Sequence, residues 1–526
     1  MTTDNTDYGF LRPPSDEEHA PIHRETPHYN PLHTFRLPTG QDRHYQQQYG
    51  DMYFLRLARL KPAVEQVATE VWEGFSIAGE QARRVERVLD VRQGELCWVA
   101  GTIYMDMPLK PNILDDLTRE NYTLAPPPRK TYQDPSNPSL TQVMLEDESG
   151  RLRLTGTLLR TTQLATGAIV AALGTENSNG DFEVIDIKVP DLPRQPARWE
   201  RDSQSTEKKE SPGKSKIAFV SGLGITGTSS DTLALELLTD YLLGYTGTST
   251  ETNTDTETNN LPPASSISRL IIAGNSLGAS VTAEAATSSN PNHQAPKKKT
   301  GPKKYGYDAS AYNPSPITHF DSFLSEILPS IPVTLMPGET DPANYSLPQQ
   351  GIHRAMLPRA RAYCAGPTPP DQEPEPGWLD SVTNPWEGDV EGWRLWGTSG
   401  QNVDDVLRYL DFAEDMPGGD INEDEDSEAR LKIMEAMLRW RCGVPTAPDT
   451  LSVIEGDSPL RLNGADADTD AEMTDIMAQE ESATKVRLLA LPKFCETGEL
   501  VLVDSETLEP EVVRFGVFEK SRKEDR

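Results

Sequence analysis

RLIIAGNSLGASV, residues 269–281, decides how the chain is to be read. Leu270, Ile271 and Ile272 make an apolar strand, and Gly274-Asn275-Ser276-Leu277-Gly278 fits the G-x-S-x-G pattern of a nucleophile elbow, with small residues following as a helix begins. A serine hydrolase needs an acid and then a histidine downstream of its serine. Of the eight histidines, His19, His23, His28, His33 and His44 precede Ser276. His293 sits in a Pro/Lys/Asn loop, His319 opens an amphipathic helix, and His353 lies far from the chain's end. No HGGG-like oxyanion segment comes before the serine. Tight strand-to-helix turns use small residues for steric reasons alone, so Ser276 is read as structural and no residue is assigned a catalytic role.

Outward from that turn, strands alternate with helices. IAFV (217–220), RLIIAG (269–274), VTLM (333–336) and WRLWG (393–397) are strands, and helices are expected through Leu233–Leu242, at HFDSFLSEIL (319–328) and through Val403–Leu410. Ser229-Ser230-Asp231 can cap the first of these helices. This pattern is an α/β layer spanning 216–526. Polar inserts interrupt it near 246–266, 284–316, 366–390, 411–428 and 455–483, all read as disordered. Upstream, LCWVAGTIYM (96–105), VMLEDESGRLRLTG (143–156), AIVAALG (168–174) and DFEVIDIKV (181–189) are short strands, with a turn at Glu148–Arg151. They suit a five-stranded barrel of the OB type over 93–195. Residues 1–40 read as a disordered tail, 41–92 as helices divided at Pro62, and 196–215 as a charged linker. The fold class is α+β multidomain.

The chain has 526 residues, 36% of them hydrophobic, 43 prolines and a net charge of −32. So acidic a surface disfavours direct binding of phosphate backbones. The four cysteines, Cys97, Cys364, Cys442 and Cys495, show no metal-knuckle or disulfide spacing. The N-terminus lacks a signal-like apolar core and no run of 18 apolar residues occurs, so a soluble intracellular protein with no membrane partner is expected.

The turns SGLG, AGNS, PGETD and GTSG, each following a strand, resemble the layout of calcineurin-like metallophosphoesterases. There the turns read D-x-H, G-D, G-N-H-D and finally G-H-x-H, and hold two metals that activate a water. Here Gly222 and Gly224 stand for D-x-H, Asn275 for the G-D aspartate, and Gly338-Glu339-Thr340-Asp341 for G-N-H-D, with Thr340 in place of histidine. Gly397-Thr398-Ser399-Gly400 carries no histidine, and none follows His353. The resemblance implies an inactive phosphodiesterase-like domain, with no metal and no cofactor.

LMPGETDPANYSLPQQGIH (335–353), WGTSGQNVDDVLRYL (396–410) and PTAPDTL (445–451) resemble the family of the second, or B-type, subunits of eukaryotic DNA polymerase delta. The likeness extends through YQQQYGDMYFLRLARLKP (45–62), the hairpin at 143–156 and VSGLGI (220–225). Gly338, Pro342, Asn344, Gln349, Gln350, Gly397, Ser399, Gly400, Gln401, Asn402, Asp404 and Asp405 belong to these signature turns and are read as structural, with Asp404 and Asp405 favouring a helix N-terminus. The resemblance implies a non-catalytic scaffold in DNA replication and repair synthesis. It would join the cysteine-rich C-terminal domain of the catalytic subunit to a third subunit, in the nucleus, touching DNA only through the complex. The sequence departs from the family at 452–485, acidic where an aromatic, Gly-Asn-containing strand is usual.

An OB barrel that binds single strands needs a basic groove with aromatic platforms. Residues 94–190 hold 8 Lys plus Arg against 13 Asp plus Glu, which favours protein docking. PKKKTGPKK (296–304) is equally a nuclear import signal or a solvated loop. The rival readings are an active two-metal phosphoesterase with unusual ligands, a hydrolase using Ser276, and the B-type subunit of another replicative polymerase.

Overall fold

The computed structural model describes residues 24, 27–37, 49–77, 79–111, 131–134, 137, 140–192, 215–227, 232–245, 263–278, 314–366, 376–410, 423–451 and 486–516. The predicted caps at 229–231, the basic run 296–304 and the atypical segment 452–485 lie outside these residues, as does all of the linker except Ser215.

Strand β1 (Tyr29–Leu32) comes first, followed by helix α1 (Tyr49–Trp72). Strands β2 (Ser76–Ile77), β3 (Glu80–Gln81) and β4 (Arg83–Val85) lead to β5 (Leu96–Asp106). Two corrections arise here. Among the described residues of the region expected as helices over 41–92, one α-helix is followed by short strands, and Pro62 lies inside α1 without dividing it. An interior proline removes the bond to the carbonyl four residues back, at a cost of about 3 kcal/mol. Against this, Leu57, Val64, Ala68 and Trp72 bury a stripe on the barrel. Each large side chain so buried contributes roughly 1.5–3 kcal/mol, so packing wins.

β6 (Gln142–Glu146), β7 (Arg151–Thr155), the helical turn α2 (Leu158–Thr161), β8 (Ile169–Glu176) and β9 (Phe182–Lys188) complete the first unit. The order β5-β6-β7-β9-β8, with β8 pairing back onto β5, closes a five-stranded barrel. Strand β5 reads as an unbroken apolar run because both its faces are covered. Cys97, Val99, Ile103 and Met105 face the interior, whereas Leu96, Trp98 and Ala100 meet α1. Strand β7 alternates instead, with Leu152 and Leu154 inside and Arg151 and Arg153 in solvent. The β6–β7 turn spans 147–150: Asp147 Oδ1 accepts the amides of Ser149 (2.7 Å) and Gly150 (3.1 Å), an Asx arrangement that fixes the register.

The second unit begins with β10 (Lys216–Val220), α3 (Thr232–Leu243), β11 (Ile267–Ala273), α4 (Ser315–Ile327) and β12 (Val333–Met336). It continues through β13 (Leu379–Ser381), β14 (Trp386–Val390), β15 (Trp393–Gly397), α5 (Gln401–Leu407) and α6 (Glu423–Arg439). A short α7 (Phe494–Thr497) precedes the hairpin of β16 (Glu499–Asp504) and β17 (Pro510–Arg514). The main sheet runs β13-β12-β11-β10-β16-β17, parallel from β10 to β13 and antiparallel at β16 and β17. Alternate residues serve opposite layers: Ala218, Val220, Leu270 and Ile272 pack with the helices, and Ile217, Ile271 and Met336 pack on a second sheet.

That second sheet, β1-β14-β15, is antiparallel. It corrects three expectations. The strand WRLWG belongs here and not to the parallel layer. Residues 379–390 of the insert expected over 366–390 form β13 and β14, because Leu379, Val382, Trp386 and Val390 are buried. The tail expected over 1–40 contains β1, anchored where Tyr29 donates to Asp380 (2.6 Å) and lies under the Arg269 guanidinium, 3.5 Å from its ring centre. A fourth correction concerns α6, which begins at Glu423 inside the insert expected over 411–428. Its Ile433 and Met437, with Trp440 just beyond, join Val403, Val406 and Tyr409 against the barrel core.

Candidate functional site

The turns at the carboxyl ends of β10, β11 and β12 converge. In open α/β sheets this edge is where ligands are bound. After β10, Gly222 and Gly224 both take positive φ, +65° and +60°. Lys493 and the first turn of α7 pass directly over them. A Cβ at Gly222 would meet the Lys493 Cα at 3.1 Å, and one at Gly224 would meet Cys495 Sγ at 2.8 Å. The amides of Phe494 and Cys495 donate to the carbonyls of Ser221 (2.8 Å) and Gly222 (3.0 Å). A side chain at 222 or 224 would therefore be strained by the positive φ, would crowd Lys493 at 222, and would force Cys495 to shift at 224.

After β11, Asn275 also has positive φ (+55°), and its Oδ1 accepts the Thr340 amide at 3.4 Å. Ser276 is fully buried and its Oγ makes no hydrogen bond among the described residues. His353 is exposed and accepts from the Ala355 amide. The serine and this histidine form no catalytic pair.

After β12, Asp341 is the organising residue. Its Oδ2 accepts the amides of Gly338 (2.8 Å) and Ser276 (3.2 Å), and Oδ1 accepts that of Leu277 (3.0 Å). One buried carboxylate thus ties two turns together with backbone donors. Burial pushes its pKa up, while these donors pull it back. Thr340 Oγ1 donates to the Leu277 carbonyl, and Glu339 is exposed. Among the described residues, no three His, Cys, Asp or Glu side chains gather so as to hold a metal.

The signature residues beyond Asp341 form a polar hub. Pro342 is exposed on the outside of the turn. Asn344 Oδ1 accepts the Gln350 amide at 2.6 Å, and Gln349 Nε2 donates to the carbonyls of Asn344 (3.0 Å) and Gly338 (3.2 Å). Gln350 reaches the N-terminal strap, its Oε1 accepting the Leu37 amide at 3.1 Å. At the centre is Asn384, whose Nδ2 faces Gln349 Oε1 (2.8 Å), Ser399 Oγ (2.7 Å) and Gln401 Oε1 (3.1 Å). Sequence reasoning missed Asn384 because it lay in an expected insert. Thr383-Asn384-Pro385, directly after apolar Val382, was the available turn signal.

Gly397 ends β15 and Gly400, at φ +94°, is the residue before α5. Asn402 Nδ2 donates to the Gly443 carbonyl (2.6 Å). The cap position of α5 is Gly400, and Asp404 lies in the helix's first turn, where a carboxylate favours the N-terminus, with Asp405 one residue beyond. Asp404 pairs with Arg430, and buried Asp405 accepts from Tyr132 Oη (2.9 Å) and Thr450 Oγ1 (2.6 Å). Asp405 thus joins Tyr132 to Thr450 across the fold.

Likeness to known proteins gives the class. Residues 48–187 match the family described as the DNA polymerase delta subunit OB-fold domain, and residues 217–464 match the B-type subunit family of DNA polymerases alpha and epsilon. Together with the closed barrel and the layered sheet, these matches define a B-type subunit of a DNA polymerase. Relatives along the whole length separate the subclasses. The DNA polymerase delta small subunit of Saccharomyces cerevisiae is 32% identical over 511 residues, covering 93% of both chains. That of Oryza sativa subsp. japonica is 29% identical, covering 89% of this chain and 93% of its own, and Drosophila melanogaster DNA polymerase delta subunit 2 is 30% identical, covering 94% and 98%. The chain belongs to the DNA polymerase delta small subunit family.

Proposed function

We propose that the chain is the non-catalytic scaffold subunit of a nuclear DNA polymerase delta assembly, built on a phosphodiesterase-like sheet that has lost its chemistry. The reading rests most on the turn after β10. Where two metal ligands would be needed stand Gly222 and Gly224, covered by Lys493 and Cys495 within 3.1 Å of any added Cβ. The carboxylate that remains, Asp341, is spent on backbone amides. A rigid sheet fused to a barrel offers broad docking surface, and obligate assemblies bury roughly 2,000 Å² or more. In this reading the partners are the cysteine-rich C-terminal domain of the catalytic subunit and a third subunit. DNA is reached only through them, in keeping with the net charge of −32.

Two measurements test it. Co-expression with the catalytic subunit's C-terminal domain is expected to raise the soluble yield and to give a co-eluting complex; equal yields and separate elution count against the scaffold. Metal analysis and a phosphodiester assay with Mn²⁺ are expected to give neither stoichiometric metal nor turnover, and finding both would replace the scaffold with an active phosphoesterase.

A further inference from the structure

The chain leaves the second sheet at β15, runs through α5, α6 and the following loop against the barrel, and is back in the main sheet at β16. We infer that this excursion, described over 401–410 and 423–451, is a clasp, closed by Arg56, that makes the barrel and the α/β unit open and unfold as one body. Three separate observations carry the inference.

The excursion completes the barrel core. Val403, Val406, Tyr409, Ile433, Met437 and Trp440 share one buried cluster with the inward residues of β5, β6 and β8. Side chains from beyond residue 400 therefore finish an interior whose strands all come from before residue 190.

The clasp is pinned by a charged group on carbonyls. Arg56, from α1, donates through Nη1 to Pro445 O (2.7 Å) and through Nη2 to Ala447 O (2.7 Å) and Val444 O (3.2 Å). Guanidinium donors hold a fixed fork, so three carbonyls of one loop are fixed by a single side chain. At the same place Gly167, at φ +89°, lets the loop in: a Cβ there would lie 1.9 Å from Pro445 O.

A second polar pin closes the far end. Lys110, almost fully buried, meets Asp449 at 2.7 Å, and Asp449 also accepts from Tyr409 Oη at 3.1 Å. The Tyr132 amide donates to Arg408 O (2.8 Å), and its ring meets that of Tyr409 edge-on at 5.1 Å. Barrel loop and clasp thus bond through backbone, ring and charge.

Arg56→Met keeps the stem and removes all three donations. In the full chain, segment-resolved hydrogen exchange is the readout, with the wild-type chain expected to melt in one transition. In the variant, exchange across 440–451 and 131–134 is expected to quicken by roughly tenfold or more, while β10, β11 and β12 keep their rates, and melting is expected to split in two. Unchanged exchange in 440–451, a uniform quickening of barrel and sheet alike, or two transitions already present in the wild type would overturn the clasp. Should Arg56→Met give no soluble chain, Lys110→Met supplies the same readout from the other pin, and unchanged exchange there is equally fatal.

Discussion

Replacing Asp341 by alanine separates a structural carboxylate from a retained ligand. The side chain is buried and accepts three backbone amides, at 2.8, 3.0 and 3.2 Å. Each donor left without an acceptor in the interior costs about 1 kcal/mol net, and more where water cannot enter. Removing the carboxylate also returns the cost of burying it, which the upward pKa shift records. The balance is a loss of about 3 kcal/mol, large beside the ±0.5 kcal/mol of a typical surface change. Asp341→Asn should fall between, about 1–2 kcal/mol, because its oxygen still accepts while its NH₂ opposes a donor. Urea unfolding of the full chain reads the loss as a lower midpoint at unchanged slope. Stability within ~0.5 kcal/mol of the parent would refute the reasoning, since functional ligands are commonly removed at little cost or with a gain.

Other outcomes follow from other sites. Asp147 is pulled upward by burial, but the Ser149 hydroxyl and the amides of Val88, Ser149 and Gly150 outweigh it and hold its pKa below the ordinary 3.8. The unfolded chain then takes up this proton first, so the stabilisation present above 3.8 is lost as pH falls through the lower folded value; Asp147→Asn should flatten the acid limb of a stability–pH curve. Pro62→Ala restores an amide donor to the Ala58 carbonyl in exposed helix and should stabilise the chain by ~1–3 kcal/mol in urea. Ser276→Ala removes a hydroxyl without a hydrogen bond and should change stability by no more than ~0.5 kcal/mol; wild-type protein should take up no fluorophosphonate probe, and labelling at Ser276 would reinstate the hydrolase.

Elements whose side chains meet local or adjacent partners were legible from residues alone. Strands β5, β8, β10 and β11 are apolar on both faces because each lies between layers, and β7 shows its alternation because one face is wet. The five-stranded barrel follows from such runs, whereas its strand order is set by the pairing. What stayed hidden depends on distant pairing. YNPL at 29–32 has no periodicity, and it becomes strand β1 only because β14 lies beside it, Tyr29 opposite Val390. The opening residues of α6 read as an acidic loop, although Ile433, Met437 and Trp440 at helical spacing were a usable signal. At the candidate site, sequence supplied the positions Gly222, Gly224, Asn275 and Asp341. It could not supply the chain at 493–495 that covers the glycines, nor Asn384 at the centre of the polar hub, since both arrive from far along the chain.

The interior that the barrel shares with Val403, Val406, Tyr409, Ile433, Met437 and Trp440 constrains inheritance as well as mechanics. A recombination that exchanged barrels between related genes by cutting in the linker after residue 192 would leave Trp440 and Ile433 facing a lining they never co-evolved with. The two halves are therefore expected to drift in concert, each amino-acid change in one answered by a change in the other, and to be passed on as a single heritable piece.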